Sequence, residues 1–270
     1  MSGTLYLLPN RIAERPVEET IPTHTLNVLR RTEYFLAENA KSARAYLKAA
    51  EHPLPIASLH IEEIGHRPEV SKIAQWLKPL REGHDMAIVS ESGCPGIADP
   101  GADIVAYAQE HDMTVKPLVG PSSILLALMA SGLNGQNFRF LGYLPIKEPA
   151  RSDALLDAQR KSAAGETQIF IETPYRNSAF LAFLAQTLHP QTRITVAMDI
   201  TGEHEFIKTK TAADWKSDLP ELEKLPTIFA ILGTTATPKR SHNSEKAVAQ
   251  KTKNTSSKRF HRTGDFWRKA

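Results

Sequence analysis

The residues best suited to chemistry lie in one run, Ser90-Glu-Ser-Gly-Cys-Pro-Gly-Ile-Ala-Asp-Pro-Gly101, between an apolar stretch at 86–90 and a helical pattern. Hydroxyls (Ser90, Ser92), carboxylates (Glu91, Asp99) and a thiol (Cys94) stand among glycines and prolines, so that backbone can approach a ligand closely along a fixed path. An ordinary long loop with Asp99 anchoring its turn accounts for the same residues, and Cys94 reads equally as a small packing residue. A second segment, Leu118-Val-Gly-Pro-Ser-Ser123, sits where a strand gives way to a helix. Free N–H groups there, with Ser122 and Ser123, could hold a carboxylate, although capping alone also explains Ser122. The third, Glu172-Thr-Pro-Tyr-Arg176, offers a carboxylate at a strand end, either as a base or as a local ion-pair partner.

Several chemistries lose support. There is no G-x-x-x-x-G-K-[ST], no G-x-G-x-x-G between strand and helix and no G-x-S-x-G, which removes the usual sequence support for a kinase, a dehydrogenase or a serine hydrolase. The histidines lack metal-ligand spacing, so no metal site is expected. The single cysteine excludes an intramolecular disulfide and points to a reducing compartment, with the cytoplasm as the expected location. The first residues lack the basic start of a secretory signal, and the longest apolar run, residues 124–130, is far below the ~18 residues of a membrane span.

The elements that must position these groups alternate. Strand patterns at 4–8, 34–38, 56–59, 86–90 and 114–119 are separated by helical ones at 40–50, 68–81 and 102–111, with Asn39 as an N-cap. This order predicts βαβ units and a parallel sheet. A second series follows: helices at 121–131, 152–162 and 177–188, with strands at 138–143, 167–172, 193–198, 205–211 and 227–233, predicting a mixed sheet. The expected fold is therefore α/β with two domains, 1–118 and 119–233.

Of the 33 basic and 30 acidic residues, ten lysines and arginines but only two carboxylates fall in 234–270. The net +3 is thus an acidic body of −5 joined to a segment of +8. That segment has no aliphatic periodicity and is expected to be disordered; Phe260, Phe266 and Trp267 interleave with its cations in a pattern suited to phosphate contacts and base stacking, or to plain solubility.

Taken together and in this order, the motifs resemble the tetrapyrrole methylase superfamily, and within it the branch of ribosomal RNA small-subunit methyltransferases that methylate a cytidine ribose 2′-hydroxyl. The branch pattern S-D-A-G-x-P-x-x-x-D-P-G is matched by Ser90, Gly93, Pro95, Asp99, Pro100 and Gly101; P-G-P-S by Gly120, Pro121 and Ser122; A-S-G-L by Ala130–Leu133; G-[YF]-L-P by Gly142–Pro145; and Y-E-S-P-H-R by Glu172, Pro174 and Arg176. Departures are as specific. The opening P-T-P-I-G-N-L is Pro9-Asn-Arg-Ile-Ala-Glu-Arg here, A-E-D-T-R is Ala37-Glu-Asn-Ala-Lys41, A-R-E-L-T-K is Ala197-Met-Asp-Ile-Thr-Gly202, and the Asp of S-D-A-G is Glu91. Motifs on the cofactor side are kept better than those on the substrate side, as in a divergent paralogue.

The resemblance implies a two-domain enzyme with a parallel N-terminal and a mixed C-terminal sheet, acting as a homodimer, with S-adenosylmethionine in a cleft between the halves. It implies that Pro9 and the loop residues Ser90, Glu91, Ser92, Gly93, Cys94 and Ile97 line the cofactor, with Pro121 and Ser122. From the second half it adds Leu141, Gly142, Tyr143, Thr173, Ala197, Met198, Leu232 and Gly233. A ribose hydroxyl needs a proton acceptor, for which Glu38, Glu91 and Glu172 are candidates. If the acceptor is RNA, Lys41, Arg44, Lys147, Arg151 and Arg176 are the candidate phosphate contacts. Methylation of a tetrapyrrole carbon, or an RNA-binding role without catalysis, remain open alternatives.

Overall fold

The computed structural model describes residues 2–234; from residue 235 onward the basic segment, with its expected disorder, lies outside them. The first half runs β1 (Thr4–Leu8), α1 (Thr23–Arg31), β2 (Tyr34–Ala37), α2 (Ala40–Ala49), β3 (His60–Glu63), α3 (Ile73–Trp76), α4 (Lys78–Arg81), β4 (Met86–Val89), α5 (Ala102–Glu110) and β5 (Thr114–Pro117). All five strands are parallel, in the order β3-β2-β4-β1-β5. β4 is wholly apolar and buried, as a parallel strand covered on both faces must be. Alternation along the strands sends Leu8, Phe35 and Val89 to one core and Leu5, Leu36 and Ile88 to another.

Two local expectations are corrected. Residues 56–59 are not a strand: Ile56–Ser58 forms a 3-10 turn after Pro55, and the strand is His60–Glu63, polar because it is an edge whose one partner among the described residues is β2. The helix expected at 68–81 is broken into a 3-10 turn, Val70–Lys72, and the short α3 and α4, with Pro79 in the first turn of α4, where its missing N–H costs nothing.

The second half contains α6 (Ser123–Ser131), β6 (Phe138–Tyr143), α7 (Ala150–Ala163), β7 (Thr167–Glu172), α8 (Asn177–Thr187), β8 (Arg193–Met198), β9 (Phe206–Thr211), α9 (Ala212–Ser217) and β10 (Thr227–Leu232). Its sheet, ordered β6-β7-β10-β8-β9, is mixed: β6 and β7 are parallel and the other pairs antiparallel. One face packs on α6 through Ile124, Ala127 and Leu128. The other packs on α7, α8 and α9 through Leu155, Phe180 and Trp215, with Phe180 edge-on to Phe170 and Phe229. The buried clusters each draw on one sheet only, while the described residues form one compact unit. The chain passes from one sheet to the other through residues 118–122, where the Pro121 carbonyl meets Cys94 of the loop that follows β4.

Candidate functional site

The loop after β4 is stapled to the loop after β1. Asn10, buried, exchanges two backbone hydrogen bonds with Gly93 (2.9 and 3.2 Å), and its side-chain amide donates to the carbonyls of Ser90 (3.1 Å) and Glu91 (3.0 Å). Ser90, also buried, donates to the Gly93 carbonyl at 2.8 Å. The Tyr46 hydroxyl donates to the Pro9 carbonyl at 2.9 Å, and burial pushes that phenol well above its ordinary pKa. Gly120 presses on Pro9 so closely that a Cβ would stand 2.3 Å from the Pro9 Cβ, so this position requires glycine. The Cys94 thiol donates to the Pro121 carbonyl at 3.5 Å, tying the second loop to the first.

These staples form one wall of two adjoining clefts. The smaller, about 380 Å³, takes Ser92, Gly93, Cys94, Ile97, Ala98 and Asp99 from the loop, and Ser122, Ser123 and Ile124 from the start of α6. Across from them stand Phe140 and Tyr143 of β6, Ile171 and Glu172 of β7, Ala197 of β8 and Ile228 of β10. The Ser122 side chain accepts from Leu125 N–H at 3.5 Å, capping α6 and leaving the earlier N–H groups of that turn free of intrahelical partners. Burial, reinforced by the negative charges of Glu38 and Glu91 and partly offset by His66, pushes the Asp99 carboxyl up to about 6. Burial, then Asp99, also pushes the Cys94 thiol up, keeping it protonated rather than nucleophilic.

The larger cleft, about 890 Å³, is polar and charged. Arg11, Glu14, Asn39, Lys41, Ser42 and Glu91 line it from the first half, and Asp199, Gly202, Glu203 and His204 from the second. Ile12, Ser92 and Pro226 belong to both clefts and form the partition between them. Arg11 pairs with Glu14 at 2.9 Å, Ser42 donates to Glu91 at 2.7 Å, and His204 N–H donates to Asp199 at 2.9 Å.

The candidates read from the sequence separate accordingly. Ser92, Gly93, Cys94, Ile97, Ser122, Tyr143, Ala197 and Glu172 line the smaller cleft, while Glu91, Lys41 and again Ser92 line the larger. Pro9, Ser90 and Pro121 act behind the wall through the hydrogen bonds and packing above. Gly142 sits at a register shift in β6 and Thr173 donates its N–H to Glu172 at 2.6 Å. Other expectations are corrected by strand geometry. Met198 and Leu141 belong to the opposite core, because successive residues of a strand face opposite ways. Leu232 and Gly233 lie at the far end of β10, since Thr227, not Leu232, pairs with Glu172 and Met198; Gly233 instead packs on Ala163.

Of the candidate carboxylates, Glu38 is buried and paired with His66, and Glu172 is engaged by the Arg176 guanidinium. Arg176 is thereby drawn away from a free phosphate-binding role. Arg151 is similarly occupied, 3.9 Å above the Phe183 ring, whereas Arg44 and Lys147 are exposed outside both clefts. Sequence reasoning missed Asn10, Arg11, Phe140, Asp199 and Ile228. The buried polar Asn10 beside an apolar strand was the one legible signal; the others depend on strand order.

The family model described as Tetrapyrrole (Corrin/Porphyrin) Methylases matches residues 18–215. The chain belongs to the tetrapyrrole methylase family. Among its relatives, the protein named ribosomal RNA small subunit methyltransferase I of Micromonospora olivasterospora is 37% identical over 77% of this chain and 63% of its own length. The protein of the same name from Bacillus subtilis is 32% identical over 76% of this chain and 67% of its own. This chain thus spans about two thirds of the length of these relatives. The fold is similar to that of the methyltransferase CobJ (TM-score 0.56, 18% identity, covering 86% of this chain and 95% of that one). It is likewise similar to uroporphyrin-III-C-methyltransferase of Thermus thermophilus (TM-score 0.51, 17% identity, 87% and 94%). The α/β architecture with one parallel and one mixed sheet is that of the family.

Proposed function

We propose that this chain transfers a methyl group from S-adenosylmethionine to ribosomal RNA, at a ribose 2′-hydroxyl. One observation carries the reading: segments matching the family pattern make up most of the smaller cleft, whereas the polar and charged residues of the three main departures, at 9–15, 37–41 and 197–202, line the larger, with only the apolar Ile12, Ala197 and Ile200 of those segments reaching the smaller. A kept cofactor site beside an altered acceptor site accounts for that partition.

The smaller cleft fits the cofactor chemically. Its volume falls within the range of small-molecule sites. Ile97, Ile124, Phe140 and Ile228 supply apolar faces for a purine, the start of α6 with Ser122 and Ser123 suits a carboxylate, and Asp99 offers a carboxyl to a cationic group. When bound, S-adenosylmethionine supplies an electrophilic methyl on a sulfonium. The chain must then hold the acceptor in line behind that methyl and exclude water. It must also receive the hydroxyl proton, a role assigned to Glu91, which among the three candidate carboxylates is the one lining the larger cleft.

RNA as acceptor is supported by the names of the relatives. In the larger cleft Arg11 and Lys41 are offset by Glu14, Glu91, Asp199 and Glu203, so attraction for phosphates falls to the +8 of residues 234–270. The homodimer implied by the resemblance has a candidate surface in the exposed Val119, Leu125 and Met129. The test is a map of ribose methylation in ribosomal RNA from cells with and without the gene. Loss of one mark supports the reading; an unchanged map overturns it in favour of a tetrapyrrole acceptor or a binding role without transfer.

A further inference from the structure

Three adjacent strands of the parallel sheet each release one metal-ligating side chain at their carboxyl ends. Register pairs Ala37 of β2 with Glu63 of β3 and Val89 of β4, so Glu38 and Glu91 emerge one and two residues beyond neighbouring strands. On the other side the Ile64 N–H donates to the Ala37 carbonyl at 2.9 Å, extending the pairing by a residue. Gly65, at φ 66°, then turns the chain in the left-handed region that glycine tolerates, and His66 lands with its Nδ1 against Glu38.

We propose that Glu38, His66 and Glu91 bind one divalent cation at the rim of the larger cleft. One ligand atom from each lies within 4.8 Å of those from the other two. Ligands around a cation with bonds of about 2.1 Å stand roughly 3.0 to 4.2 Å apart, so rotations that open the direct His66–Glu38 contact and draw Glu91 inward close the set. The His66 and Glu91 side chains are exposed, so solvent leaves them room to make them. An independent observation comes from Glu38 itself. Its side chain is only 7% exposed, one oxygen meets His66, and the other, Oε2, is buried without a hydrogen-bond partner among the described residues. A buried carboxylate oxygen left unpartnered is costly, and a cation there would satisfy it. Glu91 is already oriented by the Ser42 hydroxyl at 2.7 Å.

Two carboxylates with one imidazole form a mixed oxygen and nitrogen donor set, suited to Mn²⁺ or Zn²⁺ rather than to the all-oxygen preference of Ca²⁺. The absence of metal spacing in the sequence is explained by the origin of the ligands, which come from separate βαβ units and meet only through strand order. Because Glu91 lines the larger cleft, remaining coordination positions would face an acceptor oxygen there. That last role rests on the proposed reaction; the cation site does not.

The test is titration of the metal-free, full-length protein with Mn²⁺, followed by paramagnetic resonance of the free ion and by calorimetry, and repeated with Zn²⁺. The wild type is expected to show one saturable site, weakened at least about tenfold by Glu38→Gln and by His66→Ala, each variant shown by circular dichroism to be folded at the titration temperature. The other histidines and carboxylates are common to all three proteins, so the difference isolates this site. No saturable uptake of either ion below about 1 mM, or equal uptake by the variants, would overturn the proposal.

Discussion

The two clefts share a wall yet are built by different means. The smaller is backed by hydrogen bonds between distant segments, with Asn10, which itself faces the larger, holding Ser90, Glu91 and Gly93 and with Cys94 reaching Pro121. The larger is shaped by exposed side chains and short local ion pairs, such as Arg11 with Glu14. The difference teaches where change is tolerated. Where buried hydrogen bonds hold the shared wall, as at Asn10, a side chain cannot be altered without leaving carbonyls unpaired, whereas exposed groups of the larger cleft such as Glu14 and Lys41 can be exchanged at little cost to folding.

Breaking the smaller wall should have the largest effect. Asn10→Ala strands two carbonyls, those of Ser90 and Glu91, and is expected to cost about 3 kcal/mol of stability, with cofactor affinity falling at least about tenfold. Chemical unfolding and calorimetry with S-adenosylhomocysteine check both. Deleting residues 235–270 addresses the other side of the comparison: RNA affinity should fall by roughly 30-fold near 0.1 M salt and its salt dependence should flatten, with cofactor affinity unchanged. An unchanged salt slope would move the phosphate contacts to the body of the protein.

Lys41→Glu, in the larger cleft, should weaken RNA binding by about fivefold while altering stability by less than about 0.5 kcal/mol. The smallest effect is expected from Asp99→Asn. Because the Asp99 carboxyl is raised from 3.8 to about 6, its ionised form burdens the folded state above that value and the burden disappears as pH falls toward 4. The variant should therefore be more stable than wild type at pH 8, by less than about 1 kcal/mol given that the group is only half-buried, and equal to it near pH 4. Unfolding in chelator at several pH values reads this directly.

Periodicity was enough for most of the fold. β4, and β10 after its first residue Thr227, are fully buried and read as uninterrupted apolar runs, and Asn39 caps α2 through hydrogen bonds from Lys41 and Ser42 N–H. It failed at β3, where an edge position removes the need for apolar residues, and at 68–81, where the apolar spacing of a helix survives although the helix breaks. The lining of the smaller cleft was legible wherever one loop carries it, as at Ser92, Gly93, Cys94 and Ile97. It was not legible where strand order decides, so that Ala197 reaches the smaller cleft while its neighbour Met198 does not, and Leu232 ends up at the opposite end of the sheet. The meeting of Glu38, His66 and Glu91 has the same origin.

The division of labour between the clefts is tested most directly by a crystal structure of the full-length protein with S-adenosylhomocysteine. The account predicts the ligand in the 380 Å³ cleft, its base against Ile97, Phe140 and Ile228 and its carboxylate at the start of α6, with the larger cleft open. Binding in the larger cleft, or no binding at all, would contradict it.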